Sequence, residues 1–198
     1  MTRSHEIKLI RKAAGGDRDA AGALIKGHQG SLFAYILRLS GRPELAEDVV
    51  QEAFVRVLGN LDRFDSRFRF STWLFTIGRR VYFNICEKKR PAPESEIVGA
   101  WAGEASRAAE GFEAAESRSI HRDSLQAGLM TLPEDQREVI VLFHQHEWPI
   151  WLIAEHLRIP EGTVKSHLHR GRIRLREAIE NQAKTDPTLA RTLQEEWL

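Results

Sequence analysis

The residues best equipped for chemistry lie in one basic stretch, Glu161-Gly-Thr-Val-Lys-Ser-His-Leu-His-Arg-Gly-Arg-Ile-Arg-Leu-Arg-Glu177. That chemistry is recognition of a polyanion, not bond-making. Val164, Leu168, Leu175 and Ile179 share one face at helical spacing, with Gly171 in the gap. The other faces carry Thr163, Lys165, Ser166, His167, His169, Arg170, Arg172, Arg174 and Arg176, and between Arg158 and Arg176 the sole acid is Glu161. A helix of roughly 25 Å, at about 1.5 Å per residue, fits a DNA major groove. Thr163, Lys165, Ser166, His167 and Arg170 fall in the first turns, where groove-reading side chains sit. Arg172, Arg174 and Arg176 are placed to meet phosphates, which fix position without reading sequence.

A second constellation spans Asp62 to Arg80. Phe64, Phe68, Phe70, Trp73 and Phe75 interleave with Arg63, Arg67, Arg69, Arg79 and Arg80. Aromatic faces stack unpaired bases and cations follow the backbone, so the mixture suits single-stranded nucleic acid. For Trp73, Leu74 and Ile77 the helical spacing favours a place in the core; for the loop aromatics, core and base stacking are evenly matched. A third group, Asp48, Gln51 and Glu52, shares a helix face that on its own reads as solvated surface. His144 and His146, like His167 and His169, are two residues apart, which turns the paired rings roughly 200° from each other on a helix. No metal site and no cofactor are expected. No phosphate-binding loop, dinucleotide fingerprint, nucleophile elbow or catalytic carboxylate pair is present, so no enzyme is read.

The elements that must position these groups are helical. Asp17 to Leu39 reads as one helix, with Ala20, Leu24, Ile25, Leu32, Phe33, Ile36 and Leu37 buried and Gly27 and Gly30 weakening its middle. Pro43 opens a second helix to about Gly59, with Leu45, Val49, Ala53, Phe54, Val57 and Leu58 inward. Ser71 or Thr72 is placed to cap a third, from Trp73 to about Lys89. Pro91-Ala-Pro93 ends it, and 91–121 reads as a flexible acidic linker with transient helix near 104–119. Leu132-Pro133 opens a helix to about His146 with Val139, Ile140, Leu142 and Phe143 buried. Pro149 opens another to Leu157, Arg158-Ile-Pro160 turns, and the basic helix follows, begun by Glu161 and Thr163. Helix, short turn, basic helix is the helix-turn-helix order. The fold class expected is all-α, with two small helical domains over 1–90 and 122–184 and a tail, 185–198, in which Leu189, Leu193 and Trp197 form a stripe that packs on the second domain in preference to binding a partner.

Bulk numbers agree. The 198 residues are 42% hydrophobic and 29% charged. No apolar run of about 18 residues exists, so no membrane insertion is expected. The N-terminus lacks an apolar signal segment, and the single Cys86 fits a reducing, cytoplasmic compartment. The net charge of +1 is unevenly spread: residues 1–90 hold 17 Lys and Arg against 10 Asp and Glu. Local charge, not the whole-chain balance, decides nucleic-acid binding.

Residues 44–90 and 131–177 together resemble bacterial sigma factors of the extracytoplasmic-function class. Glu44-Leu-Ala-Glu-Asp-Val-Val-Gln-Glu-Ala-Phe-Val55 is similar to that family's region 2.2. Phe64-Asp-Ser66 and Phe70-Ser-Thr-Trp-Leu74 are similar to regions 2.3 and 2.4. Leu132-Pro-Glu-Asp-Gln-Arg-Glu-Val139, Ile153-Ala-Glu155 and Glu161-Gly-Thr-Val-Lys-Ser166 are similar to region 4. The resemblance implies a subunit that directs core RNA polymerase to promoters and helps melt them. It assigns Asp48, Gln51 and Glu52 to the β′ clamp helices. It assigns the loop with Arg63, Phe64, Asp65, Ser66, Arg67 and Phe70, and the helix with Arg79, Arg80 and Asn84, to the −10 element. It gives Thr163, Lys165, Ser166, His167, His169, Arg170 and Arg174 to the −35 element and the same domain a contact with the β flap. Family members are commonly held by an anti-sigma factor, a further implied partner. Arg80 and Asn84 stand where the family commonly has Asn and Asp, Trp151 and Leu152 occupy positions that are usually polar or acidic, and Arg158 replaces the usual turn glycine. The competing reading is a helix-turn-helix regulator of the response-regulator type, which has a similar Thr-Val-Lys-Ser-His run; residues 1–90 show no alternating receiver pattern to support it.

Overall fold

Asp17 starts the longest helix of the N-terminal half by accepting from the Ala20 N–H at 3.0 Å, and Gly41 ends it at φ +66°, donating to the Leu37 carbonyl at 2.8 Å. That positive φ is why a glycine stands there. A computed structural model describes residues 2–88, 112–186 and 189–190. Among them all regular structure is helical, in two units, Met1–Ala100 and Trp101–Leu198.

The first unit contains α1 (Arg3–Ala14), α2 (Arg18–Ser40), α3 (Pro43–Leu58), a 3-10 turn (Leu61–Arg63) and α4 (Phe70–Lys88). Helix α2 runs unbroken past Gly27 and Gly30. Its buried face is Ala20, Leu24, Leu32, Tyr35, Ile36 and Leu39, whereas Ile25, Phe33 and Leu37, expected inside, are only half-buried. Tyr35 stacks on Phe75 of α4 with centroids 4.9 Å apart. Gly78 lets α2 and α4 close: a Cβ there would stand 2.7 Å from Leu32 Cδ1. Helix α4 starts at Phe70, three residues before the expected Trp73, so Ser71 and Thr72 lie within its first turn instead of capping it. Burial explains the earlier start: Phe70 is fully enclosed and draws the chain into the helix.

The second unit contains α5 (Phe112–Met130), α6 (Glu134–His144), α7 (Ile150–Leu157) and α8 (Glu161–Thr185). Residues 112–121, expected in the linker, thus belong to a helix; 89–111 lie outside the described residues. Helix α6 is enclosed on nearly every side, Gln136, Arg137 and Glu138 included, while Phe143 is half-buried. The Arg137 guanidinium donates from Nε to the Leu129 carbonyl and from Nη2 to the Leu132 carbonyl, both at 2.9 Å. It thereby ties the end of α5 to the loop that follows, the Leu129 carbonyl also accepting from the Leu132 N–H at 3.1 Å. Arg137→Ala is expected to cost about 1–3 kcal/mol, since it takes the guanidinium donor from the Leu132 carbonyl while Leu129 keeps the Leu132 N–H. Urea unfolding checks this; an unmoved midpoint would remove the role. Asp186 Oδ1 accepts from the Leu189 N–H at 3.2 Å and Leu189 is buried; Leu193 and Trp197 lie outside the described residues.

Candidate nucleic-acid interface

Helices α7 and α8 meet at a turn with one strained residue. Arg158 takes φ +58°, ψ +44°, and the Ile159 N–H reaches back to the Ala154 carbonyl at 3.1 Å. The chain thus keeps the left-handed bend that a glycine would supply and carries the Cβ strain. Arg158→Gly is expected to raise stability by roughly 0.5–1 kcal/mol, the relieved strain exceeding glycine's added unfolded-state entropy. A rise in Tm tests it, and a fall would show that Arg158 contributes contacts worth more than the strain. Pro160 occupies the N-cap of α8 with no side-chain cap, so Glu161 and Thr163 begin the helix without capping it.

Val164 and Leu168 are buried as the spacing predicts, and Leu175 and Ile179 are half-buried. Gly171 is buried against α6, where a Cβ would meet Ile140 Cγ1 at 3.0 Å. This packing turns Lys165, Ser166, His169 and Arg170 to solvent, with Thr163 and His167 half-buried at the edges. The later arginines behave differently from the earlier cations. Arg172 lies over the Phe143 ring at 5.3 Å and its Nε donates to His144 Nε2 at 3.1 Å. Arg174 donates to Gln136 Oε1 at 3.2 Å. Both reach across to α6 and help fasten α8 in place, although Arg174, expected at a phosphate of the −35 element, stays exposed. His144 spends its Nε2 lone pair on Arg172, and burial, with the Arg172 charge, pushes its pKa down. Burial lowers His146 to about 4.

In the first unit the aromatic loop divides cleanly. Phe70 packs among His28, Phe64 and Trp73 at centroid distances of 5.0, 5.8 and 6.0 Å. At 0% exposure it has no face to offer a base, so its assignment to the −10 surface is corrected to the core that supports the loop. Phe68, which the sequence left unresolved, is 50% exposed. Asp65 accepts from the Arg67 N–H at 2.9 Å and from Arg67 Nη2 at 2.6 Å, and these hydrogen bonds hold its carboxyl below the usual range. Arg63 and Ser66 are exposed. On α4, Arg80 and Asn84 are exposed one turn apart, while Arg79 lies over its own helix's Phe83 ring at 4.6 Å.

Asp48 and Gln51 are exposed on α3, and Glu52 accepts from Arg56 Nε at 2.7 Å. Val55, 63% exposed, shares this acidic face at helical spacing. Beside it a groove of about 600 Å3 runs between α2 and α3, lined by Ile25, Phe33, Val50, Phe54, Val55 and Leu58 with Gln29, Glu47 and Gln51 at its polar parts. The sequence signal for it was available: an apolar Val55 amid a polar face, and Ile25, Gln29 and Phe33 recurring every four residues on α2.

Family models decide what these surfaces belong to. "Sigma-70 region 2" matches residues 24–91 and "Sigma-70, region 4" residues 122–175. The ECF RNA polymerase sigma factor SigW of Bacillus subtilis (strain 168) is 33% identical over 87% of this chain and 95% of its own. The chain belongs to the extracytoplasmic-function sigma factors. It is therefore a subunit that directs core RNA polymerase to promoters. The response-regulator alternative falls away, since the family match embraces the first unit as well as the second. Among solved structures, this sigma factor is similar to CnrH in complex with the cytosolic domain of CnrY, at a TM-score of 0.63 and 26% identity over 89% of this chain and 98% of the other. The sigma factor RpoE bound to the anti-sigma factor NepR, from Bartonella quintana, shares the fold at a TM-score of 0.62 and 23% identity over 80% and 96% of the two chains. No described helix of this sigma factor is long and apolar enough to cross a membrane.

Proposed function

We propose that three separate surfaces of this sigma factor divide the work of initiation. Asp48, Gln51 and Glu52, with the neighbouring groove, take the β′ clamp helices of core polymerase. The observation that carries this reading is the conjunction of an acidic rim with an open apolar groove on one face of α2 and α3. Amphipathic helices are bound in that way, by apolar anchors in a groove and charges at its edge. Arg63, Phe64, Asp65, Ser66 and Arg67, now joined by Phe68, form the loop that traps an unstacked −10 base, while Arg79, Arg80 and Asn84 meet the adjoining DNA. Thr163, Lys165, Ser166, His167, His169 and Arg170 meet the −35 element.

The polymerase supplies the bond-making, so the sigma factor itself is not an enzyme; melting draws on binding energy, with base–aromatic stacking worth about 1–3 kcal/mol per base. Its place of work is the cytoplasm, and domains at 1–90 and 122–184 act from either side of the 91–121 segment. The second domain also touches the β flap, for which the 57% exposed Trp151 offers apolar ground. An anti-sigma factor is proposed as a further partner, on the strength of the family resemblance. Transcription from a fragmented genomic library with purified core polymerase tests the function: transcripts beginning at discrete sites only when this chain is added support it, and their absence sinks it.

A further inference from the structure

The loop proposed to trap the −10 base is short of internal support. Within it are the Asp65–Arg67 pair and one backbone hydrogen bond, from the Phe68 N–H to the Asp65 carbonyl at 3.1 Å. A second source of order comes from more than 60 residues away. Arg3, in the first turn of α1, donates from Nη2 to the Ser66 carbonyl at 3.1 Å and to the Arg67 carbonyl at 2.9 Å. One turn later Glu6 Oε1 lies 2.9 Å from His28 Nε2, both side chains nearly buried, and the His28 ring packs on Phe70 at 5.0 Å. Helix α1 therefore reaches both ends of the loop: its tip through two carbonyls and its base through His28 and Phe70. Ile10, buried at the far end of α1, keeps the helix from rolling away.

A guanidinium is suited to this. Its planar geometry fixes the directions of the two N–H donors of Nη2, which meet two adjacent carbonyls at once, and a charged donor makes the stronger kind of hydrogen bond. Holding the Ser66 and Arg67 carbonyls fixes the peptide planes on either side of Arg67, and with them the direction in which Phe68 leaves the chain. A loop held in its capturing shape loses less freedom when a base arrives.

We propose that Arg3 is a positioning residue for promoter opening: by clamping the Ser66 and Arg67 carbonyls it preorganises the 64–68 loop for the unstacked base. This rests on the reading of that loop as the −10 trap, and the test separates the two. Hydrogen exchange on the free, full-length chain reads the clamp alone. Arg3→Ala should speed exchange at the Arg67 and Phe68 amides about tenfold, with Arg3→Lys recovering part of the protection. Holoenzyme assembled with core polymerase on a promoter mapped from the genomic library then reads the consequence. Arg3→Ala should slow duplex opening about tenfold with the affinity of the closed complex unchanged, and Arg3→Lys should open at an intermediate rate; a merely structural loss would lower closed-complex affinity as well and would not follow loop exchange. Unchanged exchange in Arg3→Ala overturns the clamp. Faster exchange with normal opening, while Phe68→Ala opens slowly, overturns the positioning role and leaves the loop reading standing. Normal opening in Phe68→Ala as well would bring down the loop reading and the proposal with it.

Discussion

Asp48→Arg combined with Glu52→Arg is expected to lower affinity for core polymerase by at least about a thousandfold, while the chain folds as before. Asp48 is exposed and Glu52 pairs with Arg56 of its own helix, so neither holds up the core. Placing an arginine at 52 faces Arg56 one turn away and costs the helix about 0.5 kcal/mol. The interface loses far more. Unpairing a charge that a complex buries costs about 2–5 kcal/mol, and reversal adds repulsion, so two reversals exceed the roughly 4 kcal/mol that a thousandfold represents. Val55→Ala should weaken the same complex without touching its charge, because an exposed anchor beside a groove contributes only when a partner covers it. Co-purification and titration with core polymerase measure both; retained binding in the double reversal would take the acidic face out of the interface.

Arg170→Ala should cost about 1–3 kcal/mol of promoter binding and flatten base preference at one −35 position. The structure sharpens this into a comparison within one helix. Arg170 is exposed on the face away from the buried stripe, and its Nε makes a long 3.4 Å approach to the Ser166 carbonyl of its own helix. Arg172, two residues on, is spread over Phe143 and bonded to His144. Arg172→Ala should therefore loosen α8 from α6 and weaken binding to all sequences alike, leaving preference intact. Binding selections from a randomised −35 library measure the two together. A uniform loss for Arg170→Ala would make it a phosphate contact.

Much of this was legible before any coordinates, because helices announce themselves by spacing and ends. Asp17, Gly41 and Pro43 mark boundaries through local chemistry, and the Val164–Leu168–Gly171 stripe needs only the helical period. The misreadings share a cause: they concern residues whose fate depends on distant chain. Phe68 and Phe70 are alike in composition and context, and only the packing of His28 and Trp73 decides that one is core and the other surface. The helical period named Val139, Ile140 and Leu142 as core and gave no sign that Arg137 and Glu138 are buried too, Arg137 donating to the Leu129 carbonyl. Arg172 and Arg174 read as phosphate contacts, and only the docking of α8 shows that they also bond to His144 and Gln136 of α6. The Arg3 clamp had no local signal at all, since its acceptors are backbone carbonyls that every residue type provides.

The division of labour between the two DNA-facing surfaces is tested most directly by transcription from promoter libraries randomised separately at the −35 and −10 elements, with Arg170→Ala and Arg80→Asn compared against the unaltered chain. Arg170→Ala is expected to shift preferences within the −35 element alone and Arg80→Asn within the −10 element alone. A shift in the opposite element, or the same shift in both from either substitution, would contradict it.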